Sequence, residues 1–251
     1  MRFLLLVSIV VSQLAPLRAE WVFSQPEPLP ASAGLEFVKR DVRDGAKRVE
    51  IHVVTFRFKT HVFAVMDNPE GAFDLEGAAT RRGAAAAVNG GYFHPDRTPL
   101  GLVIRKGFTI HAIERAKLLS GLVVVSGDGV ALSRTGEFSA SAKVREALQA
   151  GPFLVDGGKT VPGLNDTRSA ARTVVFGDNV GRFSLLIGKS ATLAEMAQIL
   201  ATPGMVPDGR ITRALNLDGG SSTAMWVKQD GSAFYAREWK GVRNYLAIVP
   251  R

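Results

Sequence analysis

Residues 214–226 read ALNLDGGSSTAMW. An apolar run stops at one acid, Asp218, then two glycines and three hydroxyl residues lead into a second apolar run. The first run reads as a strand, and Asn216 shares a strand face with Asp218 at the i, i+2 spacing. A strand end holds its last side chain on a rigid scaffold. Paired glycines then let the backbone turn sharply and leave room for a ligand. Working outward, the same grammar recurs as AVNGG at 87–91 and LVDGG at 154–158. Each corner alone also fits an ordinary tight turn. Asp156, in DGGK ahead of Thr-Val-Pro, fits a surface turn best. Asp218 is the strongest site candidate, because Asn216 and the hydroxyls of Ser221, Ser222 and Thr223 surround it in sequence.

Around these corners the sequence reads mainly as strands. Runs at 50–58, 61–66, 101–105, 108–113, 121–126 and 129–133 carry β signals, and 172–177 with 182–187 flank a hairpin signal. Helices are expected over 72–82, ended by Gly83, over 141–150, and over 192–201, where Thr192 and Glu195 spell a capping box. Many strands with scattered helices predict an α+β (mixed α/β) single domain, with strand-rich mixed sheets flanked by a few helices. The expected boundaries are a signal peptide at 1–19, a Pro-, Ala- and Ser-rich lead-in at 20–44, and one domain over 45–251.

The chain of 251 residues is 46% hydrophobic, an ordinary globular composition. Its start, MRFLLLVSIVVSQLAPLRAE, has Arg2 before a short apolar core, Pro16 after it and a candidate cleavage site at 17–19. This reads as a secretory signal peptide, with the apolar core too short for a stable membrane span. The expected location is therefore periplasmic or secreted. The net charge of +8 is dispersed rather than blocked, which favours an anionic substrate over nucleic acid. With no cysteine, disulfides, thiolate catalysis and Cys–zinc sites are excluded.

Taken in order, NGGYF, PLGLVIRKG, GPFLVDGG, ARTVVFG and ALNLDGGSSTAM resemble the phosphodiester glycosidase family over roughly residues 45–250. The ordered set carries the resemblance, not any one motif. It implies an exported enzyme that removes a sugar from a sugar 1-phosphodiester, of the N-acetylglucosamine-1-phosphate type, leaving free sugar and a phosphomonoester. The matching positions are Asn89, Gly90, Gly91, Arg105, Gly151, Pro152, Arg172, Thr173, Asn216, Asp218, Gly219, Gly220, Ser222 and Thr223. Two positions depart from the family pattern: Ser221 stands where a third glycine is usual, and Ala171 where proline is common. Neither departure removes a charged group.

The chemistry suits these residue types. A sugar 1-phosphodiester carries one negative charge, and C–O cleavage delivers a second to the departing phosphate. Arginine pairs phosphate oxygens with a planar fork, so Arg105 and Arg172 are the expected clamp. An oxocarbenium-like centre needs an opposing carboxylate, and Asp218 is the candidate. Asn89 and Asn216 would bind sugar hydroxyls or orient Asp218. Gly90, Gly91, Asp156, Thr173, Gly219, Gly220, Ser222 and Thr223 would line the substrate, and His94, just after NGGYF, is a further lining candidate. Asp156, Glu114 and Asp96 are the options for a second carboxylate, and spacing selects none of them.

Several readings fail. Gly188-Lys189-Ser190 ends like a P-loop, but Phe183 stands where its first glycine should be. GGSST is not the nucleophile-elbow pattern, and His52, His61, His94 and His111 form no zinc-protease motif. No cofactor is expected, Ca²⁺ on strand-end oxygens being the alternative. The expected partner is a phosphorylated glycan or a nucleotide-sugar-like small substrate, with no nucleic acid and no membrane span. The rival function is a non-catalytic module that binds exopolysaccharide or cell-wall glycan.

Overall fold

The computed structural model describes residues 20–127 and 129–251, so the signal-peptide reading at 1–19 lies outside the described residues. In chain order the first strands are β1 (Val22–Phe23), β2 (Glu27–Leu29), β3 (Leu35–Asp44), β4 (Lys47–Arg57) and β5 (His61–Asp67). Helix α1 (Leu75–Arg82) follows, then β6 (Ala86–Asn89), β7 (Val103–Arg105), β8 (Phe108–His111), β9 (Gly121–Ser126) and β10 (Gly129–Arg134). Next come β11 (Val144–Ala150), β12 (Phe153–Asp156), β13 (Lys159–Thr160), β14 (Ala170–Asp178) and β15 (Arg182–Ala191). Helix α2 (Leu193–Ala201), β16 (Ile211–Asn216), a single 3₁₀ turn at Gly220–Ser222, β17 (Met225–Gln229), β18 (Ser232–Ala236) and β19 (Asn244–Pro250) complete the chain.

This corrects the expected α+β class. Strand makes up 49% of the structure and helix 9%, and every pairing among the described strands is antiparallel. The molecule is essentially all-β. The largest difference lies at 141–150, expected as a helix and found as β11. Ala147 and Leu148 favour helix in isolation, but β11 sits between β9 and β7 and sends Val144 and Ala147 to one cluster, Leu148 and Ala150 to another. Burial on both faces of a sheet overrides local propensity. Residues 20–44 also do more than lead in. Strand β3 pairs with β4 over ten positions and buries Phe37 and Val42.

Three sheets share one interior. The large sheet runs β1-β3-β4-β15-β14-β16-β12-β13, with β2 added beside β3. The second runs β10-β9-β11-β7-β8 and the third β18-β17-β6-β19-β5. Phe153 and Leu215 of the large sheet, Val123 and Leu148 of the second, and Val88 and Leu246 of the third meet in one buried cluster. The opposite face of the large sheet packs Val49, Ile51 and Phe176 against Met196 and Leu200 of α2. Both faces of that sheet are covered, which is why its strands read as near-continuous apolar runs. Helix α2 starts as its sequence predicts: Thr192 Oγ1 accepts from Glu195 N, and a Glu195 carboxylate oxygen accepts from Thr192 N. Helix α1 is capped by Asp74 and ends at Gly83 in the left-handed conformation.

Candidate active site

The ends of strands from all three sheets meet at one cleft. Strand β16 stops at Asn216 and β6 at Asn89, while Gly151-Pro152 joins β11 to β12. Backbone bonds sew the ends together: Asp218 N donates to Gly90 O at 3.0 Å, Leu217 N to Thr173 O at 2.8 Å, and Asn216 N to Pro152 O at 3.0 Å. The cleft has a volume of about 450 Å³. Tyr92, Arg168, Arg172, Asn216, Asp218 and Ser221 line it, beside Leu118, Asn165 and Leu193.

Asp218 is the only carboxylate among the described residues that line this cleft. Its Oδ1 accepts from Gly219 N at 2.8 Å, and the Ser222 hydroxyl donates to the carboxylate. Burial raises its pKa above the ordinary value of 3.8, and these two hydrogen bonds oppose the rise. Its main chain is held from behind. Asn89, fully buried, donates from Nδ2 to Asp218 O at 2.6 Å. Asn89 Oδ1 accepts from Thr173 Oγ1 at 2.6 Å and from Ala224 N at 3.1 Å. Asn89 and Thr173 are thus internally satisfied and position the Asp218 segment.

Arg172 is buried on β14. Its Nε donates to Ala191 O at 2.8 Å and Nη2 to Arg168 O at 2.6 Å. No carboxylate pairs with it among the described residues. Desolvation lowers its pKa, and the more distant charge of Glu195 only partly offsets this, so the guanidinium sits in a partly dry site with no carboxylate bonded to it. The Arg168 side chain lines the same cleft and brings a second one.

Tyr92 and Asn216 add a bonded polar pair to the lining, beside Asn165 and Ser221. The Tyr92 phenol donates to Gly151 O at 2.6 Å. Asn216 Nδ2 donates to the Tyr92 oxygen at 2.9 Å, to Gly151 O at 3.1 Å and to Leu217 O at 2.5 Å. Asn216 Oδ1 is left buried with no partner. Burial first, and the Asp218 charge second, push the Tyr92 pKa upward, so the phenol stays protonated.

The structure separates other expected residues from the cleft. Arg105 lies on β7 with a buried, unpartnered Nε, and its charge acts on Glu146. Asp156 is paired with Arg134 at 2.8 Å and Arg213 at 3.0 Å. His94 closes a local turn, with its N–H bonded to Thr98 O at 2.8 Å. Glu114 accepts from Gly101 N, and Asp96 accepts from Thr98 N. Thr223 keeps a buried hydroxyl with no partner behind the 3₁₀ turn.

The glycines serve the protein's own backbone. A Cβ on Gly90 would sit 2.0 Å from Asn244 Oδ1 and 2.8 Å from Asn244 O. One on Gly91 would meet Gln149 O at 2.8 Å, and one on Gly219 would meet Ala171 O at 2.8 Å. Of the four glycines at the β6 and β16 corners, Gly220, in the left-handed region at φ 61°, alone faces open space.

Arg168, Tyr92 and Asn165 are the polar lining residues that sequence reading missed, beside the apolar Leu118, Ala170 and Leu193. Tyr92 sits inside the NGGYF motif, where a phenol directly after a candidate glycine pair was a readable signal. Arg168 comes from an irregular segment and carried none.

Comparison with known proteins bears on the lineage and the fold. The sequence profile of the phosphodiester glycosidase family matches residues 82–249. An uncharacterised Escherichia coli protein, YigE, is 30% identical over 115 residues, covering 42% of this chain and 45% of YigE. The match therefore spans less than half of that relative's length. Among solved structures, the catalytic domain of zebrafish N-acetylglucosamine-1-phosphodiester α-N-acetylglucosaminidase, auto-inhibited by its pro-peptide, superposes with a TM-score of 0.67. The two are 19% identical, with 90% of this chain and 88% of that one covered. A hypothetical protein from Synechocystis gives a TM-score of 0.62 at 18% identity, covering 91% of this chain and 64% of that one. At such identities the likeness establishes the fold, and the profile establishes the lineage: the chain belongs to the phosphodiester glycosidase family.

Proposed function

We propose that the protein is an exported hydrolase that cleaves a sugar 1-phosphodiester, of the N-acetylglucosamine-1-phosphate type, to free sugar and a phosphomonoester. The observation that carries this reading is the buried Arg172 guanidinium, unpaired by any described carboxylate, in one cleft with the half-buried carboxylate of Asp218. A buried cation without a counter-ion is costly unless a ligand supplies the anion.

The roles follow from charge. Arg172 and Arg168 would hold the phosphate and stabilise the second negative charge that develops as the anomeric C–O bond breaks. Phosphate leaves as a weak base, so a strong general acid is dispensable, in keeping with a single carboxylate among the lining residues. Asp218 would oppose the oxocarbenium-like carbon, as nucleophile or as base for water. The Asn216 Oδ1 without a partner suits a hydroxyl or amide N–H of the sugar.

The test uses purified residues 20–251 with UDP-N-acetylglucosamine and the methyl phosphodiester of N-acetylglucosamine-1-phosphate, following free sugar by mass spectrometry. Release is expected from the parent. Arg172→Ala should lower kcat/KM by roughly 10²–10³-fold, the scale for losing a donor to developing charge. No release from any diester, with glycan binding retained by the parent and by Asp218→Asn alike, would replace this reading with the non-catalytic glycan-binding one.

A further inference from the structure

The catalytic cleft does not end at Leu118, Asn165 and Leu193. These three residues also line an adjoining groove of about 490 Å³. Phe153, Pro152, Val161, Pro162 and Leu164 contribute the rest of its apolar lining. Pro152 follows Gly151, whose carbonyl takes the Tyr92 phenol, so the groove continues from the catalytic network along the chain.

The polar groups in the groove are already engaged. Arg134 is paired with Asp156 at 2.8 Å and its guanidinium lies 4.7 Å from the Phe153 ring centroid. Asn165 Oδ1 accepts from Arg168 N, and its Nδ2 donates to Thr167 Oγ1. Ser120 Oγ accepts from Phe153 N at 2.9 Å. Lys117, exposed at the rim, is the one charged lining residue with no carboxylate partner among those described. A ribose or a second sugar needs several free donors and acceptors, and the groove offers few. It offers aliphatic and ring surface directly beside the phosphate position.

Resting on the hydrolase reading above, we propose that this groove is the aglycone subsite and that the aglycone is apolar. The substrate class is then a sugar 1-phosphodiester of an alkyl or polyisoprenoid-like alcohol, the chemistry of a lipid-carried sugar phosphate. Water adds its oxygen to the anomeric carbon, and the bond from that carbon to the bridging oxygen breaks. The electron pair leaves with the alkyl phosphate, and one proton of the water is released to solvent. The chain leading to the groove suits such a substrate. Phe108 is 76% exposed, Ile110, Ile113 and Leu118 are exposed, and Lys106, Arg115 and Lys117 stand among them. An apolar surface mixed with basic side chains fits an anionic amphiphile.

Two measurements separate failure of this proposal from failure of the hydrolase reading. The first compares kcat/KM for octyl and methyl diesters of N-acetylglucosamine-1-phosphate below the octyl compound's aggregation limit. The octyl diester should be favoured by at least about 30-fold, equivalent to two or three buried methylenes. The second, independent of turnover, measures octyl phosphate and methyl phosphate binding by calorimetry, where the same preference is expected. Leu164→Ser and Leu118→Ser, each checked for an unchanged circular dichroism spectrum, should shrink both ratios by roughly fivefold or more. Equal handling of the two chain lengths in turnover and binding overturns the apolar subsite while leaving the hydrolase intact. An octyl preference in binding with no turnover keeps the subsite and overturns the hydrolase reading.

Discussion

Asp218 is a costly residue to keep. Its pKa is raised by burial, so the folded chain holds the proton more tightly than the unfolded chain. The contribution to stability is therefore full below the ordinary aspartate value of 3.8 and is lost as pH rises through the folded pKa. At neutral pH the ionised side chain works against folding. Asp218→Asn should abolish sugar release and raise the melting temperature at pH 7, on the scale of ~2–4 °C per kcal/mol for a chain of this length. The gain should shrink as the pH is lowered toward 3.8. Melting curves at several pH values check this, and a variant less stable than the parent at pH 7 would contradict it. Asn89 shows the limit of reading single residues. Sequence places it beside a glycine pair like any site asparagine, yet its three hydrogen bonds all go to the protein.

Elements explain the glycine corners. At β6 and β16 the paired glycines read as space for a sugar, and in the fold that space is taken by neighbouring protein atoms at Gly90, Gly91 and Gly219, with only Gly220 of the four left open. Strand β19 runs against β6, and Asn244, its first residue, lies against Gly90. Its side-chain oxygen bonds Gly91 N at 2.8 Å. Gly90→Ala would force a methyl group into that contact, and the expected cost is about 1–3 kcal/mol, as for overpacking elsewhere. Urea denaturation of the variant reads this as a lower midpoint with an unchanged slope. An alanine variant as stable as the parent would show that the close approach is not maintained in solution. Helix α2 was legible because its start is chemically local: Thr192 and Glu195 satisfy each other's N–H groups within one turn. Strand β11 was not, because the partners that make it a strand come from β7 and β9, more than fifteen residues away in sequence.

The whole molecule depends on its first described strands. A chain beginning at residue 45 would lack β3, leave β4 with an unpaired edge and expose Val49, Ile51, Val54 and Phe56 beside it. Such a truncation is expected to be insoluble or unfolded by circular dichroism, and a soluble, cooperatively melting product would show that 20–44 is dispensable. At this scale the division between sequence and structure is clear. The sequence alone determined the strand-rich character, the lineage through its ordered motifs and α2 through its capping box, and it marked Asp218, Asn216 and Arg172 as candidates, which the fold brings to one cleft. Each depends on local periodicity, local capping or a residue type that only one chemistry requires. Tertiary structure alone decided that the sheets are antiparallel, that 141–150 is a strand, and that Arg168 rather than Arg105 lies beside Arg172. The reason is physical: a sheet forms between segments distant in the chain, and a cleft is whatever three such sheets leave open where their ends meet.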